Sequence, residues 1–207
     1  MNSNPMKKGA LALAAVLMMS GVGLQAAQAA DKIRVRGVVE SLSGDTLKVK
    51  SREGKDVTIM LKSGWGVTGV VKAAVTDIKP GDFVGIASEP TASGTNGALE
   101  VLIFPAAMKG TGEGDYGWDL KPKSSMTNAT VASAVTSVNG PTLSLTYKGG
   151  EKKISIPEGT PVVTLGAATK DDIKAGAGVI INGTTSGDNM VEADRVLVGI
   201  DGVVPPM

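Results

Sequence analysis

The chain carries one pattern twice, and that repetition limits its fold more than any other feature. Val39-Glu40-Ser41-Leu42-Ser43-Gly44-Asp45-Thr46-Leu47-Lys48-Val49 returns 96 positions later as Val135-Thr136-Ser137-Val138-Asn139-Gly140-Pro141-Thr142-Leu143-Ser144-Leu145. Val57-Thr58-Ile59 is matched by Ile154-Ser155-Ile156 and Asp77-Ile78-Lys79-Pro80-Gly81 by Asp172-Ile173-Lys174-Ala175-Gly176. Val101-Leu102 is matched by Val196-Leu197. Self-similarity of this kind points to one small module written twice.

In the first copy Ile33, Val35, Gly37 and Val39 alternate with Arg34, Arg36, Val38 and Glu40, the two-residue period of a half-buried strand. Ser43-Gly44-Asp45 turns the chain into a strand through Leu47 and Val49. Glu53-Gly54-Lys55 turns it again into Val57 to Leu61, making a three-strand antiparallel meander. After a weaker extended stretch at 67–71, residues 73–78 read as one or two helical turns. Lys79-Pro80-Gly81-Asp82 ends them before strands over 83–87 and 99–104. The second copy predicts strands over 131–138, 142–147 and 153–156, a short helix around 170–173, and strands over 178–183 and 191–198.

Three strands, a short helix and two strands is the order of a small OB-type barrel, in which closure removes exposed sheet edges. The expected fold is all-β: two tandem OB-like barrels over 30–107 and 126–207, each with one short helix. Residues 108–125 have no internal counterpart. Lys109 to Lys123 holds four glycines and a proline, which predicts an irregular Gly-rich linker of functional length.

The unit made by Gly37–Val39, Gly44 to Val49, Glu53 to Thr58 and Ile78 to Val84 resembles an uncharacterised family of secreted bacterial OB-like domains of unknown function. A weaker second copy extends the resemblance over most of the remaining chain. Its motif specifies turns and core positions, so the resemblance implies a fold and names no reaction.

Residues 1–29 read as an export signal. Lys7 and Lys8 precede an apolar run from Gly9 to Met19, and Ala27-Gln28-Ala29 is a small-residue cleavage motif. The run is shorter than the roughly 20 apolar residues of a spanning helix. Cleavage after Ala29 predicts a periplasmic product of 207 − 29 = 178 residues, with 21 − 2 = 19 basic and 20 acidic groups, a net charge of −1.

The chain has no cysteine and no histidine. Their absence removes disulfides, the usual zinc, copper and iron ligand sets, and the familiar nucleophile–base pairs. No cofactor, metal site or catalytic residue is expected. Two acidic groups, Glu113 with Asp115 and Asp119, and Asp188 with Asn189, Glu192 and Asp194, lack the spacing of a calcium loop and read as solvated acids. Nucleic-acid binding needs a basic groove with stacking rings. Only six aromatic residues occur in the chain, and Arg34, Arg36, Lys48 and Lys50 read as a solvated strand face.

The linker is the candidate ligand site, through Glu113, Asp115, Tyr116, Trp118 and Asp119, together with the groove expected between the two barrels. An exposed Tyr/Trp pair beside carboxylates can stack a sugar or anchor a partner. Alternatively the two rings fold back and plug the seam between the barrels. Trp65, between Gly64 and Gly66, reads as a packing residue. These features suggest a non-enzymatic periplasmic binding or accessory protein for a glycan fragment, a cation or a protein partner. A structural or stress-related envelope protein without a small ligand is the alternative.

Overall fold

The structure, a computed structural model, describes residues 31–92, 94–137 and 140–205; the segment read as an export signal lies outside them. The chain is all-β. Its strands are β1 (Lys32–Ser43), β2 (Thr46–Ser51), β3 (Asp56–Lys72), β4 (Phe83–Pro90), β5 (Asn96–Ile103) and β6 (Gly114–Gly117). They continue with β7 (Ser125–Ser137), β8 (Gly140–Tyr147), β9 (Gly150–Ser155), β10 (Val162–Gly166), β11 (Gly178–Gly187) and β12 (Met190–Gly199). All twelve belong to one hydrogen-bonded sheet, ordered β12-β11-β1-β2-β3-β10-β5-β4-β7-β8-β9 with β6 alongside β7.

The sheet closes on itself. β1, β2 and β3 form the expected meander, and β1 then pairs with β11 from Lys32↔Thr184 to Val38↔Gly178. β12 pairs with β11 and runs parallel to β3 from Met190↔Thr58 to Gly199↔Val70, completing a five-stranded barrel. The first copy therefore does not close its own barrel. Its three leading strands are completed by the last hairpin of the second copy. The core follows the same exchange: Val35, Val39, Leu47, Val49, Ile59 and Trp65 pack with Val179, Ile181, Val191, Val196 and Val198. Period-two burial explains the match, because either copy's last hairpin presents the same alternating Val/Ile face.

The remaining strands lie outside this barrel and continue the sheet. β4 lies between β5 and β7, β7 pairs with β8, and β8 with β9. β9 returns to β5 through a two-residue parallel contact, Asn96↔Ile154 and Gly97↔Ser155. Val84, Ile86 and Val101 share their core with Ala129, Val131, Leu143, Leu145 and Ile154. The registers correspond at a constant spacing: Val196↔Val67 on one side, Val101↔Val162 on the other, with 196 − 101 = 162 − 67 = 95. At the centre β10 pairs antiparallel with β3, Leu165 opposite Val70. Val70, Leu102 and Val163 form a third buried cluster there.

Two further expectations, the short helices and the repeat alignment, are corrected, and the extended stretch at 67–71 proves part of a longer strand. The short helices are single 3-10 turns, Val75–Asp77 and Lys170–Asp172. Each is held by one carboxylate: the N–H groups of Ala74 and Thr169 donate to Asp77 and Asp172 at 2.8 and 2.7 Å. The stretch at 67–71 belongs to β3, which runs unbroken for 17 residues. Its counterpart is split into β9 and β10 by a segment containing Pro157 and Pro161, residues that cannot donate to a ladder. The repeat alignment is also shifted in one strand. Val39 pairs with Val49, and Val131, not Val135, pairs with Leu145. The second hairpin is longer at its tip, so Val135 is 63% exposed whereas Val131 is 1% exposed.

Candidate functional site

The linker is ordered by the strands it crosses. A 3-10 turn at Ala106–Met108 opens it, and Gly110 and Gly112 adopt positive φ, a region that costs glycine little. The stretch expected to be irregular then forms β6, pairing Gly114↔Asn128 to Gly117↔Ser125. The reason is an edge: β8 covers β7 only from Thr130 onward, and an uncovered strand edge accepts a neighbour.

All five predicted site residues have partners within the protein; Glu113 accepts the Lys148 backbone N–H at 3.1 Å. Asp115 accepts from Thr127 Oγ1 at 2.7 Å and from Lys152 Nζ at 2.8 Å, and Lys152 also donates to Ser125. Asn128 Nδ2 donates to the Tyr116 hydroxyl at 3.0 Å. Tyr116 is 42% exposed and meets Trp118 edge-on, with ring centroids 6.1 Å apart. Trp118 is half-buried, and the Arg34 guanidinium stacks on it at 4.0 Å.

Asp119 is the centre of a clamp. Arg36 donates to both its carboxylate oxygens, at 3.0 and 2.8 Å, and Arg34 donates to one at 3.3 Å. Arg52 reaches its backbone carbonyl at 3.2 Å. Arg34 and Arg36 lie two apart on β1 and so share a face, while Asp119 follows directly from the segment carrying β6. The clamp thus ties the barrel to the β6–β7 side of the sheet. Arg36 is 8% exposed and Arg34 is paired, which corrects the reading of these two as solvated, whereas Lys48 and Lys50 are exposed. The signal in the sequence was the Arg-x-Arg spacing beside a core strand; its acidic partner, 83 positions away, could not be read from it.

Hydrogen bonding from Arg36 and the charges of Arg36 and Arg34 outweigh partial burial and hold the Asp119 carboxyl at about 2, below its ordinary 3.8. A lowered carboxylate pKa stabilises the fold above the ordinary value, and this is lost as pH falls through the folded one. The window here is pH 4 to 2. The full shift corresponds to roughly 2 kcal/mol, but Asp119 is 54% exposed, so solvent screening reduces the expected loss to about 1 kcal/mol. Between urea unfolding at pH 5 and at pH 2.5 the parent should lose about 1 kcal/mol more stability than Asp119→Asn does.

Trp65 is 5% exposed and donates to Asp45 Oδ1 at 2.9 Å, with Lys170 Nζ 4.2 Å from its ring centre. It is a packing residue. The second acidic group does not converge: Glu192 pairs with Lys62 at 3.6 Å, and the Asn189 carbonyl accepts from the Thr58 N–H. Among the described residues no three acidic, histidine or cysteine side chains are grouped to hold a metal ion.

Two concavities flank the clamp. A hollow of about 560 Å³ lies on one side, with Arg34, Asp119, Asn182 and Glu192 in its lining. On the other side a groove of about 1440 Å³ separates the barrel from the start of β8 and the β9–β10 connection. Its walls come from β1 and β2 (Arg36, Val38, Ser51), from the β9–β10 connection (Pro157, Pro161) and from the tail after β12 (Val204). Sequence reading named the linker and missed this groove's lining, because its walls come from segments far apart in the chain.

The chain matches no family model, no curated protein and no solved structure.

Proposed function

We propose that this protein is a non-enzymatic binding protein of the periplasm, built from a duplicated OB-like module whose copies exchange their last hairpins, and that its ligand occupies the groove beside the clamp. The observation that carries the reading is the groove itself. Ligand pockets typically enclose ~300–1,000 Å³, and a recess of about 1440 Å³ framed by two sides of one sheet is room for an elongated molecule. The linker residues then act indirectly: Trp118 and Asp119 hold Arg34 and Arg36 in place, and Arg36 lines the groove. The motif Ala27-Gln28-Ala29 supports export. The strand order β1-β2-β3-β12-β11 is what an OB-type barrel has when its fourth and fifth strands come from the other copy, and it supports the resemblance on which the module reading rests.

The internal use of Asp115 and Asp119 favours the second reading, a structural envelope protein without a small ligand. A thermal-shift screen of envelope glycans, lipids, peptides and divalent cations separates the two. Binding in the groove predicts a rise in Tm with at least one ligand class. Val38→Trp, a substitution at a 46%-exposed groove position, should abolish that rise and leave the unliganded Tm unchanged. No rise with any class favours the structural reading.

A further inference from the structure

Resting on that binding reading, we infer that the groove takes a fatty-acid-like amphiphile, a single aliphatic chain ending in a carboxylate. The walls argue for the chain. Val38 and Val204 are aliphatic side chains left 46% and 77% exposed, and both line the same recess with Pro157, Pro161 and Val203. Aliphatic surface left open inside a concavity marks a site whose occupant is itself apolar. None of the described lining residues is aromatic, so the groove has no platform on which a sugar ring would stack.

The rim argues for the carboxylate and for its orientation. Lys50 and Arg52 stand on the β2 side of the groove, Lys72 at the far end of β3 beside β10, and Glu158 and Asp201 on its other borders; Arg36 and Glu100 complete its charged lining. Lys50 pairs with Asp56 and Arg52 with Glu53, and those two acids are 73% and 57% exposed. Ion pairs so open to water contribute little, so a ligand carboxylate can take their place. The head then lies against Lys50 and Arg52; Val38 is opposite Lys50 in β2 and Gly178 in β11, and Gly178 borders Val204, so the chain runs across Val38 toward the tail.

The test uses the purified protein and displacement of the fluorescent fatty acid cis-parinarate by straight-chain carboxylates of ten to sixteen carbons, below their micelle concentrations. Each methylene added should strengthen binding about three- to fourfold until the groove is filled. Val38→Asp should weaken every carboxylate at least tenfold with its Tm unchanged. Lys50→Glu should weaken the carboxylates but not uncharged dodecyl maltoside. Affinity that does not depend on chain length, or that survives Val38→Asp, overturns the inference. A water-soluble glycan or peptide that binds in a Val38-dependent way, with no carboxylate binding, also overturns it while leaving the binding reading intact. If no ligand of any class binds, both readings fall.

Discussion

A chain ending at Ala177, which retains β1, β2 and β3, is expected to lose the five-stranded barrel. The missing residues carry β11 and β12, and with them Val179, Ile181, Val191, Val196 and Val198, each no more than 3% exposed. At about 1.5–3 kcal/mol for each buried aliphatic side chain, their removal costs roughly 8–15 kcal/mol. That equals the total stability of an ordinary domain, about 5–15 kcal/mol. β1 and β3 would also lose a hydrogen-bonded neighbour each, leaving two open edges. The readout is Trp65, 5% exposed in the intact protein. In a Trp118→Phe background its fluorescence should shift to the red of a solvated indole on truncation. Retention of the native spectrum would mean that residues 31–105 close a barrel unaided.

Val131→Asp should unfold the β7–β8 side of the sheet, whereas Val135→Asp should leave stability within about 0.5 kcal/mol of the parent. Val131 is 1% exposed among Ala129, Leu143 and Leu145, where an isolated carboxylate would have neither solvent nor a counter-ion. It also exchanges backbone hydrogen bonds with Gly81 and Asp82 at 2.8 Å, as Val39 does with Gly176 and Ala177 at 2.9 Å. Val135 is on the protruding tip. Urea titrations of the two variants should differ by several kcal/mol, with Val131→Asp too unstable to yield a native baseline. Equal effects would show that the hairpin slides along its register.

This pair of valines shows where sequence reading stops. The repeated string aligns Val39 with Val135, and the turn residues Gly44 and Gly140 support that match. Yet the position of a strand in a sheet is set by what it buries, and four additional residues in the β7–β8 tip move the buried valine to 131 without disturbing Leu143 or Leu145. Local features were legible because they depend on neighbours in sequence: the alternation in β1, the turns at Ser43-Gly44-Asp45 and Glu53-Gly54-Lys55, and the packing role of Trp65. Strand partnership was not. Val84 and Ile86 of one copy and Val179 and Ile181 of the other present equivalent faces, so either hairpin satisfies the pattern of β1 and β3. The candidate site suffered in the same way. Asp119 reads as a ligand-binding acid until Arg36, on a strand 83 positions earlier, is seen to donate to both of its oxygens.

The exchanged hairpin is the claim on which the groove, the clamp and the truncation result all depend, and the absence of native cysteines allows a direct measurement. Lys32 and Thr184 are cross-strand partners in β1 and β11. Such pairs have Cα atoms about 4.5–5.5 Å apart, within the roughly 4.4–6.8 Å that a disulfide spans. If each copy closed on itself, the partner of Lys32 would be Glu89, the residue 184 − 95 = 89 by the observed spacing of the registers. Two double variants, Lys32→Cys with Thr184→Cys and Lys32→Cys with Glu89→Cys, should be oxidised as folded monomers and scored by non-reducing electrophoresis. The exchanged arrangement predicts near-complete internal bridging in the first and none in the second; bridging in the second alone would contradict it.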